Sequence, residues 1–310
     1  MSRGAWLNKA LAAAALAAAL GLLLTIAAGN LGAWKAWSAL GSEEFYMVAA
    51  VAAYYFAPSP YQGLALVLAV LLSGSLNVAL KYSLNAPRPP NPLIEVEGPG
   101  FPSGHAQVSA SFWSSASMLA KKPALAALSA VIVAGVSLSR LYLRAHYEVD
   151  VVGGVLLGLA AGYLAYRAYS RHSRSGSLSA YYAIASAGAL LSLVNLLLLK
   201  GDLEASPVLL GMSLALLTAI PLLGRKIVEA RQAPLATRIL LCTALVPALL
   251  ATHVATLSGA APLRAAAFYA AGLLVYSGPL LASKISQSRG QSTREHRGSR
   301  HPVLVSRVGA

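Results

Sequence analysis

Three short clusters in the sequence combine residue types that can bind and transfer a phosphate group. They read KYSLNAPRPP (81–90), PSGH (102–105) and SRLYLRAHYEVD (139–150). Elsewhere the chain is poor in charge, because only 11% of its residues are Asp, Glu, Lys or Arg, against about a quarter in ordinary soluble domains. Charged groups concentrated in a few places of an apolar chain are typical of a functional site.

The first two clusters, together with Arg140 of the third, contain what is needed to hold an anion. Lys81, Arg88 and Arg140 supply three positive charges, and the planar fork of arginine suits the paired oxygens of a phosphate. Ser103 and Gly104 come just before a predicted helix, whose free N–H groups and positive dipole end attract anions. Glycine also lets the backbone approach closely. The sequence therefore predicts a phosphate site.

Two histidines could carry out a reaction at that phosphate. His146 and Asp150 are four residues apart, so they share one face if 146–150 is helical. An aspartate that accepts one ring N–H fixes the tautomer and aims the other nitrogen. We therefore interpret His146 as a nucleophile, and His105 as the general acid for the leaving oxygen and the later base for water.

The elements that must position these residues are membrane helices. The chain has 310 residues, 57% of them hydrophobic, and a helix of about 20 apolar residues spans the hydrocarbon core. The single cysteine, Cys242, excludes an intramolecular disulfide. We predict ten spans, near residues 10–28, 45–57, 62–80, 105–120, 123–139, 149–166, 178–199, 206–223, 235–257 and 261–283.

The charges separate by side when all ten spans cross from a cytoplasmic N-terminus. Only seven of the 24 basic residues then lie outside, and eight of the ten acids join them. Lysine and arginine accumulate on the cytoplasmic side of membrane proteins. We therefore expect a plasma-membrane protein with both termini cytoplasmic and the three clusters on the outer face. The net charge of +14 comes from span-flanking residues, so we expect no nucleic-acid partner.

The predicted organisation is an all-α, polytopic membrane helix bundle. Residues 1–170 would form a six-span core, 171–283 would add about four C-terminal spans, and 284–310 would be a basic, disordered cytoplasmic tail. The first apolar run is longer than a signal-peptide core of about 7–15 residues, so we interpret it as a retained span. For the C-terminal spans three roles stay open: packing against the core, forming a homo-oligomer interface, or widening the path of a lipid.

Taken together, the clusters resemble the type 2 phosphatidic acid phosphatase family, which is related to vanadium haloperoxidases and bacterial acid phosphatases. The resemblance rests on K-x6-R-P from Lys81, P-S-G-H ending at His105, and S-R-x5-H-x3-D from Ser139 to Asp150. It covers roughly residues 10–167. It implies a phosphorylated His146 supported by Asp150, protonation of the leaving alcohol by His105, and no metal or other cofactor. The resemblance also implies a set of phosphate-binding residues, namely Lys81, Arg88, Ser103, Gly104, Ser139 and Arg140.

We therefore expect a metal-independent phosphatase that acts on a lipid phosphate in the bilayer. A site at helix ends beside the hydrocarbon boundary admits a headgroup while the tails stay in the apolar region. Polyprenyl diphosphates, phosphatidic acid and phosphatidylglycerol phosphate are the candidate substrates. Two alternatives stay open: a lipid phosphotransferase that uses the same phosphohistidine, and a transporter, although transporters place their charged sites near the midplane.

Overall fold

The computed structural model describes residues 3–199, 202–223, 234–256 and 260–278, and within these ranges the protein is helical and contains no strand. The helices, in chain order, are α1 (Arg3–Ala28), α2 (Leu31–Ala39), α3 (Glu43–Phe56), α4 (Pro60–Leu84), α5 (Gly104–Ala120), α6 (Pro123–Tyr142), α7 (Glu148–Ser175), α8 (Ser179–Val194, continued by a π-helical turn over Asn195–Leu199), α9 (Ala205–Leu223), α10 (Leu235–Ala255) and α11 (261–278). The predicted tail, 284–310, lies outside the described residues.

Six of these helices are long and apolar enough to cross a membrane: α1, α4, α6, α7, α8 with its π-helical turn, and α10. The prediction of an all-α, multi-pass membrane bundle is confirmed. The predicted number of ten spans is not reproduced by length and composition, because α3 has 14 residues, α5 has 17 and the apolar part of α9 is short. The last predicted span, 261–283, is helical over 261–278, and its remainder lies outside the described residues.

Helix α5 illustrates why a helix inside this bundle does not need to be uniformly apolar. The buried side chain of Gln107 donates to the carbonyl of Ser73 on α4 at 2.9 Å, and the hydroxyl of Ser111 donates to the carbonyl of Ala69 at 2.8 Å. A neighbouring helix thus satisfies these two polar side chains of α5, as the low dielectric of a membrane interior requires. A hydropathy criterion ranks such a helix low although it lies in the centre of the bundle.

The short helix α2 was not predicted from the sequence. The side chain of Asn30 accepts a hydrogen bond from the backbone N–H of Ala33 at 3.0 Å and so caps the first turn. Trp34 stacks on Tyr142 with ring centroids 5.0 Å apart. A tight aromatic contact of this kind fixes α2 across the end of α6. The segment between the first two predicted spans is therefore an ordered part of the bundle.

The helices alternate in direction, so the same end of the bundle collects all three sequence clusters. At this end, which we call the mouth, the hydroxyl of Tyr142 at the end of α6 donates to the carbonyl of Gly29 at the end of α1. Gly41, which precedes α3, packs against His105 at the start of α5. At the opposite end Tyr61, at the start of α4, contacts the ring of His172 near the end of α7.

Small residues bring α5 and α7 close together behind the mouth. A Cβ atom on Gly154 would lie 2.6 Å from the carbonyl oxygen of Ser103, and one on Gly158 would overlap the carbonyl of Gln107. Glycines four residues apart allow helix backbones to approach in a membrane. This packing holds the N-terminal end of α5 against that of α7, where the two catalytic candidates lie.

The C-terminal helices α9, α10 and α11 share one apolar core with α3 and α4. The hydroxyls of Tyr54 and Tyr55 on α3 donate to the carbonyls of Tyr276 and Val275 on α11, both at 2.8 Å. Buried residues of α3, α4, α9, α10 and α11 belong to one continuous cluster. The predicted division of the chain into a six-span core (1–170) and a C-terminal extension (171–283) stays a prediction.

The outside of the bundle is apolar, as a lipid-facing surface must be. Leu16 on α1 is 73% exposed, Leu156 on α7 is 62% exposed and Leu240 on α10 is 67% exposed. Large exposed apolar surfaces are rare on soluble monomers. The exposed leucines therefore agree with a bundle that is surrounded by lipid.

Candidate active site

The first cluster lies at the C-terminal end of α4 and in the loop that follows. Asn85 ends the helix with a left-handed backbone, φ 45°, a conformation that asparagine tolerates better than most residues. Lys81, in the last turn, donates to the carbonyl of Pro99 at 3.3 Å. The carboxyl groups of Glu43 and Asp202 interact with its positive charge. Pro99, Glu43 and Asp202, which lie in three separate parts of the chain, thus hold the ammonium group of Lys81 at the mouth.

Arg88 joins the first cluster to the third. Its Nε donates to the carbonyl of Gly98 at 2.8 Å, and Nη2 donates to that of Glu97 at 2.6 Å. Nη1 donates to the carbonyl of Ala145 at 2.8 Å and lies 3.2 Å from Nε2 of His146. These bonds fix the guanidinium against the imidazole before any substrate binds.

The second cluster forms the N-terminus of α5. Ser103 is the N-cap, is fully buried, and donates its backbone N–H to the carbonyl of Asp150 at 2.9 Å. Its hydroxyl has no hydrogen-bond partner in the described structure. A Cβ atom on Gly104 would lie 3.0 Å from Oδ1 of Asn77. Asn77 also donates to the carbonyl of Pro102 and to Gln107, at 3.1 and 2.8 Å.

Asn77 is a supporting residue that the sequence analysis missed. It lies four residues before Lys81 on α4, and that spacing on an apolar helix was an available signal. Ser38 of α2 was missed as well. Its hydroxyl accepts a hydrogen bond from Nη1 of Arg140 at 2.6 Å, and no local pattern in the sequence indicates this contact.

The third cluster contributes the end of α6 and the turn before α7. The side chain of Arg140 is buried, with 5% exposed, and its Nε lacks a partner among the described residues. The hydroxyl of Ser139 donates to the carbonyl of Val136 at 2.6 Å. Ser139 is thus bonded to its own helix in this structure, whereas the arginine retains donors for a ligand.

The condition that 146–150 is helical is not met, because α7 begins at Glu148 and His146 lies in the preceding turn. The pair nevertheless forms. Oδ2 of Asp150 accepts the backbone N–H of Tyr147 at 2.9 Å and lies 3.5 Å from Nδ1 of His146. This distance exceeds the usual N–H···O range of about 2.7–3.2 Å. The aspartate caps the helix and lies beside the imidazole, at a separation common for catalytic pairs without substrate.

The environment of His146 determines its tautomer and its charge. Arginine only donates, so Nε2 next to Nη1 of Arg88 must carry the lone pair, and the proton then lies on Nδ1, towards Asp150. Burial first, and then the positive charges of Arg88, Lys81 and Arg140, lower the pKa of His146 from 6.5 to about 2. Without ligand the imidazole is therefore neutral, and its Nε2 is unprotonated.

A cavity of about 350 Å³ opens between these elements, within the size range of small-molecule sites. Six of the nine predicted site residues line it, namely Lys81, Arg88, Gly104, His105, Arg140 and His146. Ser103, Ser139 and Asp150 support the wall through the contacts described above. The structure therefore brings together residues from all three clusters. Two acids at the rim, Glu43 and Asp202, were not predicted.

The described residues contain no group of three or more His, Cys, Asp or Glu side chains that could hold a metal ion. The cavity lining includes three cationic side chains, two imidazoles and the N-terminus of α5. This set suits the binding of an anion.

Comparison with known proteins adds one finding to this geometry. Residues 62–174 match the family model of the PAP2 superfamily. This part of the chain is similar to the PAP2 superfamily. No curated protein and no solved structure matches the chain.

The PAP2 segment covers α5, α6, nearly all of α4 and all but the last residue of α7, and it contains all nine predicted site residues. The match to the superfamily supports a phosphatase-type function. The supporting residues Ser38, Glu43 and Asp202 come from outside the PAP2 segment. The helices flanking the PAP2 segment therefore take part in building its mouth.

Proposed function

We propose that this protein is a membrane phosphatase that hydrolyses a lipid phosphate through a phosphohistidine on His146. The observation that carries the proposal is the pairing of Nε2 of His146 with Nη1 of Arg88 at 3.2 Å, on the wall of a cavity that Lys81, Arg140 and His105 share. A neutral imidazole nitrogen held beside three cations is placed to attack a bound phosphorus atom.

In the first step Nε2 of His146 forms a bond to phosphorus while the bond from phosphorus to the leaving oxygen breaks. His105 gives its proton to that oxygen, so a neutral alcohol departs from a monoester, or a lipid phosphate from a diphosphate. The positive charge that grows on the imidazole is balanced by Asp150 beside Nδ1. Lys81, Arg88 and Arg140 neutralise the equatorial oxygens.

In the second step water attacks the phosphorus, and the bond to Nε2 breaks. His105, now unprotonated, accepts the proton of the water. Inorganic phosphate leaves and the resting imidazole is restored. No step requires a metal ion, so we propose that activity survives a chelator.

The apolar surroundings support a lipid substrate. The mouth lies at the ends of helices whose outer surfaces carry exposed leucines, and the cavity continues from the charged groups into apolar side chains. A phosphate on a hydrocarbon tail matches both parts. Polyprenyl diphosphates, phosphatidic acid and phosphatidylglycerol phosphate all fit this description.

The charge distribution supports a mouth on the extracytoplasmic face of the plasma membrane. Lys121 and Lys122 follow α5 at the end opposite to the mouth, and Arg167, Arg171 and Arg174 lie in the last turns of α7 at that same end. Basic residues of membrane proteins accumulate in the cytoplasm. The mouth then faces outward, and the N-terminus is cytoplasmic.

The proposal is tested by phosphate release from the three candidate lipids with purified protein in detergent and EDTA present. We expect the wild type to release phosphate and His146→Ala to release none. The matched control is His253→Ala, because His253 is also bonded to an arginine, Arg264, at 3.2 Å, but lies on α10 away from the cavity lining. Release by His146→Ala at the wild-type rate would refute the nucleophile assignment.

The same assay separates hydrolysis from transfer. With a labelled lipid phosphate and an added lipid alcohol, a hydrolase yields free labelled phosphate as the main product. Label that moves to the alcohol without release of free phosphate would replace the hydrolase with a phosphotransferase that uses the same phosphohistidine.

A further inference from the structure

The cavity below the proposed catalytic residues has one wall from the PAP2 segment and others from outside it. One side is α4, on which Val67, Leu71, Gly74, Val78 and Lys81 line the cavity. These residues recur every three or four positions and so share one helix face. From Val67 to Lys81 the face extends about 21 Å, given a rise of 1.5 Å per residue. The cavity is thus long as well as deep.

The opposite wall comes from the C-terminal helices. On α9 the lining residues are Ala205, Val208, Leu209 and Met212, again at helical spacing. Asp202 starts this helix at the mouth, because its Oδ1 accepts the backbone N–H groups of Glu204 and Ala205 at 2.9 and 2.8 Å. These four residues therefore form a stripe that descends from the mouth into the bundle.

The deep end of the cavity is closed by the last two described helices. Leu249 of α10 and Val275 and Tyr276 of α11 line it there, and all three are at least 97% buried. The hydrogen bonds from Tyr54 and Tyr55 of α3 to the carbonyls of α11 hold this end in place.

Polarity changes along the cavity in one direction. Charged groups lie at the mouth, among them Lys81, Arg88 and Arg140, whereas the side chains lining the deeper part are almost all apolar. An apolar pocket that ends at a few charged groups suits an amphiphile whose headgroup stays at the mouth. Water in such an enclosed apolar space gains little hydrogen bonding, so a hydrocarbon chain would displace it favourably.

Gly74 of α4 and Leu209 of α9 contact each other beside the cavity. A Cβ atom on Gly74 would lie 2.9 Å from Cδ2 of Leu209. Both residues line the cavity, so added bulk at either position would narrow the space between α4 and α9.

We propose that α9, α10 and α11 wall a channel that takes a hydrocarbon tail of the lipid phosphate, and that Gly74 and Leu209 line the path of this tail. This inference rests on the proposed function for the position of the headgroup. It gives the C-terminal helices a role in substrate selection.

The test compares two single-tailed substrates with the same headgroup, farnesyl diphosphate and the much shorter dimethylallyl diphosphate. Leu209→Trp narrows the channel from α9, and Gly74→Leu narrows it from α4. We expect each variant to lose at least about tenfold in kcat/KM for farnesyl diphosphate and to keep the wild-type rate with dimethylallyl diphosphate. Hydrolysis of dimethylallyl diphosphate at the wild-type rate shows that a variant is folded.

The matched control is Leu214→Trp, which adds the same bulk to the same helix at a position that is 40% exposed on the outside. We expect it to resemble the wild type with both substrates. If Leu209→Trp and Gly74→Leu also hydrolyse farnesyl diphosphate like the wild type, the tail lies elsewhere and the channel proposal is overturned, while the proposed function stands.

A second readout does not depend on turnover. A farnesyl diphosphate analogue with a photoreactive group at the tail end is irradiated with the wild-type protein, and the modified residues are mapped by mass spectrometry. We expect labels at Leu209, Met212 or Val275. Labels only at outward-facing residues such as Leu214 would overturn the channel. Labels within the channel without any phosphate release would support the channel proposal and refute the proposed hydrolase activity.

Discussion

At the scale of single residues, the chemistry depends on the charge and tautomer of His146. Its ring lies between an arginine that only donates hydrogen bonds and an aspartate, so both partners favour a proton on Nδ1 and a lone pair on Nε2. The same arginine also holds three loop carbonyls. The proposed nucleophile and part of the proposed anion site are therefore positioned together, in advance of the substrate.

The ring of His146 should stay neutral over the physiological pH range. Burial and nearby cations disfavour the imidazolium and lower its pKa to about 2, so falling pH does not protonate it until far below the usual value near 6.5. NMR of the ligand-free protein with labelled histidine, assigned with His146→Ala, should show no titration of this ring between about pH 5 and 8. A midpoint near 6.5 would contradict the account.

Asp150→Asn should lower kcat while leaving the fold intact. The amide oxygen can still accept the N–H of Tyr147 and cap α7, but the negative charge beside Nδ1 of His146 is lost. We expect a reduction on the order of 10³-fold, within the range for carboxylates that orient a catalytic histidine. Glu148→Gln, an exposed acid on the same turn, is the control and should keep wild-type activity.

Chemistry made the site residues recognisable in the sequence, since lysine, arginine, histidine and aspartate are costly in an apolar chain unless they function. The supporting residues were not recognisable. Ser38 holds Arg140 across about a hundred residues of chain, and a serine between tryptophan and alanine carries no local signal. The neighbours of a motif depend on tertiary packing, which residue types alone do not encode.

At the scale of elements, the close packing of α5 on α7 determines how the two histidines face each other. Gly158→Val should place side-chain atoms against the carbonyl of Gln107 and Cβ of Ala110. Overpacking costs about 1–3 kcal/mol, so we expect a lower thermal midpoint in detergent and reduced kcat. Leu159→Val, at a position that is 44% exposed, should leave both unchanged. A Gly158→Val protein with wild-type stability and activity would show that this contact does not position the site.

Element boundaries were predicted well where hydropathy determines them and poorly where burial does. The spans matching α1, α4, α6 and α7 follow from long apolar runs. Helix α5 carries buried Gln107 and Ser111, whose side chains bond to carbonyls of α4, so composition understates its place in the bundle. Helix α2 depends on contacts of Trp34 and Asn30 that are visible only in the folded chain.

At the scale of the whole molecule, the alternating helices place the mouth at one end and the basic loops at the other. The C-terminal helices follow the same alternation, since α9 starts beside Lys81 and α11 ends beside α3. Their common core with α3 and α4 explains how a segment without any motif can still contribute to the substrate path.

The orientation of the molecule can be measured with single cysteines in a Cys242→Ser background. Pro92→Cys lies in the exposed loop at the mouth, and Ser173→Cys lies exposed at the opposite end of α7. A membrane-impermeant maleimide applied to intact cells should label Pro92→Cys at once and Ser173→Cys only after the cells are broken. The reverse pattern would place the mouth in the cytoplasm.

The central claim is that His146 carries the phosphoryl group during turnover. The most direct measurement mixes the protein with a labelled lipid phosphate, quenches within milliseconds at alkaline pH, where phosphohistidine persists, and maps the label by peptide mass spectrometry. We predict an alkali-stable, acid-labile phosphate on His146 in the wild type and none in His146→Ala. Rapid phosphate release with no label on His146 at any quench time would contradict the account, because the reaction would then proceed by direct attack of water.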